Sequence, residues 1–242
     1  MTDKNVAYGK LFLIPSSLGE EDINAVWPAA HHILIKNITY FIVENIRSAR
    51  RFLKKTGYQG TFDEVTFYLL DKHTPEREQT DFLQAAKQGH SIGLLSEAGC
   101  PGIADPGQMI VDSAHRMNIP VHPLVGPSSI LLALMASGMN GQQFCFHGYL
   151  PISKKERSKK IRELEEMSRL SGATQIFMET PFRNNAMMED LIKSGRPDSK
   201  LCVAADLTMD SEYIKNRTIR EWGSTQRPDL HKRPAIFLLI SA

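Results

Sequence analysis

The amino-acid sequence predicts an α/β protein of two domains. Short apolar runs rich in β-branched and aromatic residues alternate with longer segments of helical periodicity along the chain, and this alternation is typical of α/β folds. A length of 242 residues, with 42% hydrophobic and 23% charged residues, suits one large globular domain or two of ordinary size. Prolines stiffen the chain at His122-Pro123 and Gly126-Pro127, so we predict one α/β domain over residues 1–120 and another over 121–242.

Strands are predicted where an apolar run is short and is bounded by glycine, proline or polar residues. The predicted strands are 10–14, 32–36, 40–43, 65–70, 91–95, 119–125, 144–150, 174–179, 201–205 and 235–240. Segments of helical period, several with a glycine just beyond their end, predict helices at 45–56, 75–87, 130–135 and 153–170. Asp105 is expected to cap a further helix with Pro106 at its first position. Residues 208–222 show no clear pattern.

Composition excludes several functional classes. The three cysteines, Cys100, Cys145 and Cys202, form no Cys/His cluster, which argues against a zinc site or a disulfide framework and favours a reducing cytoplasm. The N-terminus does not resemble a signal peptide, and no apolar run approaches the roughly 18 residues of a membrane span. The net charge of +2 means that any nucleic-acid surface must be a local patch.

The stretch LLSEAGCPGIADPG, residues 94–107, predicts a ligand-binding loop. It follows a strand and precedes a helix, and α/β proteins bind ligands at the carboxyl ends of strands. Glycines allow a ligand to approach the backbone, and the start of a helix offers free N–H groups. The stretch contains neither the P-loop nor the dinucleotide-binding pattern.

This loop resembles the S-D-A-G-T-P-G-I-S-D-P-G signature of the tetrapyrrole-methylase superfamily, and more narrowly of the bacterial small-subunit ribosomal RNA ribose 2′-O-methyltransferases within it. Other segments are similar to further motifs of that family in the same order. They are Leu11-Phe12-Leu13-Ile14-Pro15, Glu44-Asn45-Ile46-Arg47, Val125-Gly126-Pro127-Ser128-Ser129, Ala136-Ser137-Gly138, Phe146-His147-Gly148-Tyr149-Leu150-Pro151, Glu179-Thr180-Pro181-Phe182-Arg183 and Ala205-Asp206-Leu207-Thr208.

The resemblance implies a two-domain tetrapyrrole-methylase-like fold that binds S-adenosylmethionine in a cleft between the domains, usually as a homodimer. The cofactor-binding residues that it implies are Pro15, Ser96, Glu97, Ala98, Gly99, Ile103, Asp105, Ser128, Ser129, Met178, Glu179 and Leu207. Many members carry a small C-terminal appendage, which we expect this chain to lack because it stops at the last predicted strand.

The motifs expected near the acceptor depart from the family pattern. Asn45 and Ile46 replace the acidic residue and the threonine of E-D-T-R, Glu97 replaces aspartate, Cys100 replaces threonine, and Phe182 replaces histidine. The cofactor side is therefore better supported than the acceptor side, and the chain is interpreted as a divergent branch.

Methyl transfer is an in-line displacement that needs positioning and no metal. A ribose hydroxyl is weakly acidic, so a base would assist its attack. Glu44 and Glu97 are the candidate bases, although Glu97 could instead accept hydrogen bonds from the ribose or amine of the cofactor. By analogy with the family, Glu44 lies at the end of a strand and Arg47, the second catalytic candidate, lies one turn into the following helix. The alternative is that Glu44 only pairs with an arginine, and Arg183 either contacts an anionic acceptor or forms an ion pair.

A basic stripe supplies an independent indication of the acceptor. Its members, Arg47, Arg50, Arg51, Lys54 and Lys55, fall on one helical face, while Ile46, Ala49 and Leu53 are expected to face inward. Such a face can bind RNA phosphates, with Arg47, Arg50, Arg51 and Arg183 as candidate substrate ligands, or it can be an ordinary solvated surface. A second cluster of cations, diluted by acids, lies within residues 154–162.

Three functions remain open from the sequence. The leading one is a methyltransferase for a ribose 2′-hydroxyl of ribosomal RNA. The second keeps the chemistry but methylates carbon on a tetrapyrrole, whose carboxylates Arg47 and Arg183 could bind. The third is a non-catalytic RNA-binding protein. It is suggested by Asn45 and by Thr74, which ends the segment Asp71-Lys72-His73-Thr74 where the family has H-E-H-N.

Overall fold

The computed structural model describes residues 7–19, 22–71 and 73–241. The chain forms two compact units, Met1–Pro127 and Ser128–Ala242, here called the N-terminal and C-terminal units. The predicted boundary lay between residues 120 and 121. Residues 121–127 fall in the N-terminal unit because Val121–Pro123 pairs with the first strand of that unit.

The N-terminal unit is built on a five-stranded sheet in which every recorded strand pairing is parallel. Its strands are β1 (Leu11–Ile14), β2 (Tyr40–Val43), β3 (Thr66–Leu69), β4 (Ile92–Leu95) and β5 (Val121–Pro123), in the order β3-β2-β4-β1-β5. Its helices are α1 (Ile23–Val26), α2 (Ala29–Ile35), α3 (Ile46–Lys55), α4 (Glu76–Asp81), α5 (Gln84–Lys87) and α6 (Gln108–Arg116). Parallel strands end at the same edge, so the loops after β1, β2 and β4 lie together.

Both faces of this sheet are buried, as parallel sheets require. Successive residues of a strand alternate between two apolar clusters: Leu94 belongs to one and Leu95 to the other. The strand glycine Gly93 permits close packing, since a Cβ there would lie 2.7 Å from Ile14 Cδ1 and 2.8 Å from Phe41 Cδ1. The core thus holds the strand ends, and the loops that follow them, in fixed positions.

The C-terminal unit has a mixed five-stranded sheet. Its elements are α7 (Ser129–Ser137), β6 (Phe144–Tyr149), α8 (Lys154–Ser171), β7 (Thr174–Glu179), α9 (Asn184–Ser194), β8 (Lys200–Ala205), β9 (Tyr213–Thr218), α10 (Ile219–Ser224) and β10 (Ala235–Ile240). The strand order is β6-β7-β10-β8-β9. Glu179 and Ala205 both pair with Ala235 across antiparallel ladders, so the ends of β7 and β8 meet at one edge.

The α/β class is confirmed, and most predicted strands and helices are present. The strand predicted at 32–36 is wrong, because these residues belong to helix α2, which buries His31 and Ile35 one turn apart. A short apolar run does not by itself distinguish a strand from a buried helix. The single helix predicted at 75–87 is two short helices, α4 and α5. Residues 208–222 form most of β9 and α10.

Two side-chain expectations are also wrong. Asp105 does not cap α6: the cap position is Gly107, at φ 133°, and the helix begins at Gln108. The tight turns of the loop carry the chain beyond Asp105 before helical geometry starts. Ile46 was expected to face inward, but at the first helical position of α3 it is exposed, whereas Ala49 and Leu53 are buried. Among the described residues, no helix is long and apolar enough to span a membrane.

Candidate active site

The loop after β4 is fixed to the loop after β1 by three hydrogen bonds, and a fourth closes a turn within the loop after β4. The backbone N–H groups of Ser16 and Gly99 each donate to the other's carbonyl oxygen, at 2.9 and 3.1 Å. Ser16 Oγ donates to Ser96 O and Ser96 Oγ donates to Gly99 O, both at 2.6 Å. Gly99 has φ 72°, a conformation that side chains rarely adopt. The glycine therefore allows a tight turn, and the hydrogen bonds hold this loop in a fixed position at the strand ends. We call this part of the site the wall.

The wall continues through Pro15 and Cys100. The carbonyl oxygen of buried Pro15 accepts a hydrogen bond from Trp27 Nε1 at 3.0 Å. Cys100 Sγ donates to Pro127 O at 3.5 Å, and burial raises the pKa of the Cys100 thiol. A protonated, hydrogen-bonded thiol agrees with a wall residue rather than a nucleophile.

Three carboxyl groups converge where β2 and β4 end. Burial first, and then the charges of Asp105 and Glu97, raise the pKa of Glu44 to about 7, although a hydrogen bond from the Glu97 backbone N–H opposes the rise. Burial and the Glu97 charge raise the pKa of Asp105 to about 6. Within the part of the chain that the structure describes, Glu44 Oε1 and Asp105 Oδ2 have no hydrogen-bond partner. These groups can therefore exchange protons near neutral pH.

The expected pairing of Glu44 with an arginine is not what the structure shows. The ion pairs recorded between described residues do not include Glu44 or Arg47. The proximity of Glu44 to Asp105 was not foreseen from the sequence. The adjacent strand ends could have indicated it, since the carboxyl ends of β2 and β4 lie side by side.

A pocket of about 450 Å³ opens between α3 and these strand ends. Its lining consists of Ser16, Ser17, Gly19, Val43, Ser48, Ala49, Arg51, Phe52, Lys55, Leu95, Ser96 and Glu97. Helix α3 is oriented by Asn45, whose Oδ1 accepts hydrogen bonds from the N–H groups of Arg47 and Ser48 at 2.9 and 3.1 Å. Asn45 is thus a helix cap at the position of the family's acidic residue.

Among the described residues, the basic stripe of α3 has no carboxylate partner in an ion pair. None of the ion pairs between described residues involves Arg47, Arg50, Arg51, Lys54 or Lys55. By contrast, the cations of α8 are largely paired: Lys159 and Lys160 contact Glu163, and Arg157 and Lys154 contact Asp190. Among the described residues, α3 therefore offers more cations without a carboxylate partner than α8 does.

In the C-terminal unit, the predicted residues lie at the edge where β7 and β8 end. Glu179 is buried, and its Oε1 accepts from Thr180 N and from Arg183 Nη2, both at 2.6 Å. Arg183 therefore forms the ion pair that was one of its two predicted roles. Met178 is half-buried and Leu207 is buried. Ser128 Oγ caps α7 by accepting from Leu131 N at 3.5 Å, and Ser129 is half-buried.

Sequence reasoning missed a second ion pair at this edge. Arg233 Nε donates to Asp206 Oδ2 at 2.6 Å, and Asn184 Nδ2 donates to Arg233 O at 2.6 Å. Asp206 has φ 50° and Thr208 has φ 73°, so the A-D-L-T segment holds two residues in the left-handed region. Arg233 precedes the last strand with no motif to mark it.

The remaining cofactor-binding candidates lie on the loop after β4. Ala98 is exposed and Ile103 is 54% exposed, whereas Ser96 and Gly99 are buried. Apolar Ile103 is thus open to solvent beside the carboxyl cluster. Among the described residues, no group of three His, Cys, Asp or Glu side chains is placed to hold a metal ion.

Comparison with known proteins assigns the family. A family model described as "Tetrapyrrole (Corrin/Porphyrin) Methylases" matches residues 34–222. The chain is 30% identical to "Ribosomal RNA small subunit methyltransferase I" of Buchnera aphidicola (strain APS), over 88% of this chain and 73% of that one. It is 30% identical to the protein of that name from Vibrio cholerae, over 91% and 74%, and 26% identical to that from Escherichia coli O157:H7, over 96% and 77%.

Solved structures show the same fold. The methyltransferase CobJ aligns with a TM-score of 0.62 at 16% identity, over 97% of this chain and 95% of that one. Uroporphyrin-III C-methyl transferase from Thermus thermophilus, complexed with S-adenyl homocysteine, aligns with a TM-score of 0.56 at 16% identity, over 96% and 97%. The chain belongs to the tetrapyrrole methylase family and is a methyltransferase that uses S-adenosylmethionine.

Proposed function

We propose that this protein methylates a ribose 2′-hydroxyl of ribosomal RNA in the small ribosomal subunit. The observation that carries the proposal is the 30% identity, over 88% of the chain, to a relative named as a ribosomal RNA small subunit methyltransferase. The unpaired cations of α3 beside the pocket support an anionic acceptor.

The residues of the loop after β4 fit the methyl donor. A donor with hydroxyl and ammonium groups needs hydrogen-bond acceptors, and Glu97 presents an exposed carboxylate while Glu44 and Asp105 each keep an unpartnered oxygen. On the N-terminal unit we assign donor binding to Pro15, Ser96, Glu97, Ala98, Gly99, Ile103 and Asp105. On the C-terminal unit we assign it to Ser128, Ser129, Met178, Glu179 and Leu207. The bound donor supplies a methyl group activated by a positively charged sulfur.

Glu44 is proposed as the general base. The acceptor oxygen forms a bond to the methyl carbon as the carbon–sulfur bond breaks, and the hydroxyl proton passes to the Glu44 carboxylate. A carboxyl with a pKa of about 7 is suited to this task, because the best base titrates near the working pH. Arg47, one turn into α3, and Arg50 and Arg51 beyond it are proposed to hold phosphates of the RNA. Arg183 is proposed to contact the acceptor through the part of its guanidinium that Glu179 does not occupy, since the side chain is 33% exposed.

The test is radiolabelled methyl transfer to small-subunit ribosomal RNA, with the product nucleoside identified by mass spectrometry. A 2′-O-methyl nucleoside is expected. Label on uroporphyrinogen III instead of RNA would favour the tetrapyrrole alternative, which the family description and the unpaired cations also allow. RNA binding with a steep salt dependence and no methylated product would favour the non-catalytic alternative.

We further infer a homodimer that acts in the cytoplasm, where ribosomal RNA would be its substrate. The support for the dimer is the resemblance to the family and the exposed apolar side of α7, where Leu131 is 50% and Met135 79% exposed. Light scattering after size exclusion measures the oligomeric state, and a monomer at micromolar concentration would remove this inference.

A further inference from the structure

We propose that the 450 Å³ pocket of the N-terminal unit is a subsite for a single nucleotide of the acceptor, with Arg51 and Lys55 binding its phosphate. The inference rests on the proposed RNA methyltransferase function and deepens it, because it gives the acceptor a defined place in the fold. It also separates the basic stripe of α3 into two rows with different roles.

The two rows differ in what their side chains contact. Arg51 and Lys55 are four residues apart on α3, so they share one side of the helix, and both line the pocket. Arg50 and Lys54 are four residues apart on a neighbouring side. The Arg50 guanidinium lies 5.6 and 5.5 Å from the ring centroids of Phe62 and Phe67, and Lys54 Nζ lies 5.9 Å from that of Phe62. The row of Arg51 and Lys55 therefore lines the 450 Å³ pocket, whereas Arg50 and Lys54 lie over aromatic rings and, with Arg51, line a second pocket.

The remaining walls of the pocket suit a nucleoside. Val43, Phe52 and Leu95 supply an apolar lining for a base, and Phe52 is half-buried at the lining. Ser17 and Ser48 add hydroxyl groups. A volume of about 450 Å³ lies at the small end of ligand sites, which span roughly 300–1,000 Å³. The pocket has the chemistry of a compact ligand with an apolar ring and polar substituents.

The positively and negatively charged residues of the pocket lie on different walls. The cations of its lining, Arg51 and Lys55, both lie on α3, while Ser96 and the carboxylate Glu97 lie on the loop after β4. A nucleotide with its phosphate on α3 would place its ribose toward that loop, which is the proposed donor-binding loop. In-line transfer requires this proximity of acceptor and donor.

The same distribution favours a nucleotide over a tetrapyrrole. An arginine and a lysine on one side of one helix match a single phosphate, with the planar fork on two oxygens and the ammonium on a third. A tetrapyrrole bears carboxylates around the rim of a wide macrocycle and would need cations on several walls. Among the lining residues, the other walls carry no cation.

The experiment compares ribonucleoside 5′-monophosphates with the corresponding nucleosides, titrated into the full chain by calorimetry. We expect the phosphate to improve the affinity about 10-fold or more, since charge-assisted hydrogen bonds contribute that much. Arg51→Ala/Lys55→Ala should abolish the difference. The matched variant Arg50→Ala/Lys54→Ala removes the same charge from adjacent positions and should retain the difference, because neither residue lines this pocket and the RNA phosphate proposed for Arg50 belongs to a neighbouring nucleotide that a monophosphate lacks.

Three results would overturn the inference. The first is no binding of any monophosphate to the native chain, and the second is an equal loss in both double variants, which would indicate only the general field of the helix. The third is binding of uroporphyrin III, and not of nucleotides, that depends on Arg51 and Lys55. If a double variant does not fold by circular dichroism, Lys55→Gln and Lys54→Gln form the matched pair.

Failure of the proposed function would look different. Monophosphates that bind through Arg51 and Lys55, together with ribosomal RNA that receives no methyl group, would leave the subsite in place and remove the RNA methyltransferase assignment. Methylated ribosomal RNA, together with monophosphates that bind no more tightly than the nucleosides, would support the RNA methyltransferase assignment and remove the subsite.

Discussion

The carboxylates of the two units have different partners. Among the described residues of the C-terminal unit, three of the four buried acids pair with an arginine side chain: Asp190 with Arg157, Glu179 with Arg183, and Asp206 with Arg233. The fourth, Glu165, accepts a hydrogen bond from the backbone N–H of Arg196. In the N-terminal unit, Glu44 and Asp105 have no ion pair among the described residues, and their pKa values rise to about 7 and about 6. A nearby cation keeps a carboxylate ionised, whereas burial without one brings its titration toward neutral pH. The difference agrees with a structural role for the paired acids and with the proton transfer proposed for Glu44.

The sheets explain where each set lies. The recorded pairings of the N-terminal sheet are all parallel, so the ends of β1, β2 and β4 bring three loops to one edge and leave their polar groups facing a pocket. In the C-terminal sheet, β10 runs antiparallel between β7 and β8. Its entry segment brings Arg233 to the edge where the other two strands end, and this arginine neutralises Asp206. Strand direction therefore explains the Asp206–Arg233 pair, whereas Arg183 and Arg157 reach their acids from the following loop and from helix α8.

The largest expected effect tests whether Glu44 transfers the proton. Glu44→Gln keeps the shape of the side chain but cannot accept a proton, so methyl transfer should fall about 100- to 10,000-fold in kcat/KM, the usual contribution of a general base. The native enzyme should gain activity as pH rises through about 7, because Glu44 acts when ionised. The measurement is a pH–rate profile with labelled donor and ribosomal RNA.

Asp190→Asn is the control from the other unit. It alters a buried acid of the structural set and should leave the pH midpoint of the activity unchanged, whatever it does to stability. A Glu44→Gln enzyme with native activity, or a native profile that is flat between pH 6 and 8, would contradict the role of Glu44.

The next largest effect tests the structural half. Arg157→Ala leaves Asp190 buried with only the more distant Lys154, 3.7 Å away, and it removes hydrogen bonds to the Pro151 and Ile152 carbonyls. We expect a loss of about 3–5 kcal/mol in the free energy of unfolding, the usual cost of removing one partner of a buried pair. Urea titration measures it.

Arg157→Met/Asp190→Leu supplies the matched comparison. It removes both charges and should recover part of the loss, since an apolar pair leaves no isolated ion. A single Arg157→Ala variant as stable as the native chain would show that the pair contributes nothing to the fold.

Local patterns predicted the elements and the loop, but not the side-chain environment. Strand alternation and the glycine-rich segment placed β4, its loop and the helix that follows, because each depends on residues near in sequence. The meeting of Glu44 with Asp105 depends on β2 lying beside β4, which is a long-range pairing. The local Asp-Pro pattern predicted that Asp105 caps the helix. The prediction was wrong because the chain turns further and the cap position is Gly107.

The basic stripe shows the same limit. Helical spacing grouped five cations of α3 on one side, and that grouping is real. The division into a pocket row and an aromatic row depends on Phe62 and Phe67, which reach the helix from outside it. Helical periodicity does not indicate which residues of other segments contact the helix. The proposed phosphate-binding role of Lys55 could therefore not be derived from the spacing of the cations.

A smaller effect links the unpaired acids to stability. The ordinary pKa values are 4.5 for Glu44 and 3.8 for Asp105, and the folded values are higher. The folded state therefore binds more protons than the unfolded state between about pH 4 and 7, and its stability should fall as pH rises through about 6 and then 7. Both groups are partly exposed, so solvent screening reduces the effect, and we expect a loss of about 2 kcal/mol.

Denaturant titrations at pH 5 and pH 8 measure this loss, and Glu44→Gln should remove about half of it because the amide carries no charge. The variant should then be more stable than the native chain at pH 8, while the two differ little at pH 5. Equal pH dependence in both proteins would show that Glu44 is not the group that titrates.

The smallest expected effect concerns Asn45, where the basic helix begins beside the unpaired acids. Asn45→Ala removes the acceptor for the N–H groups of Arg47 and Ser48 and should cost about 1 kcal/mol, as loss of a helix cap does. Asn45→Asp restores the family's acidic residue and caps equally well, so the free energy of unfolding should stay near the native value. It also places a further negative charge beside Glu44, which should raise the pKa of Glu44 and move the activity midpoint to higher pH. The pair of variants separates two roles of one position, because thermal unfolding reports the cap and the pH–rate profile reports the charge. A midpoint that does not move in Asn45→Asp would mean that the carboxyl cluster does not govern the activity, and the contrast between the two units would lose its functional half.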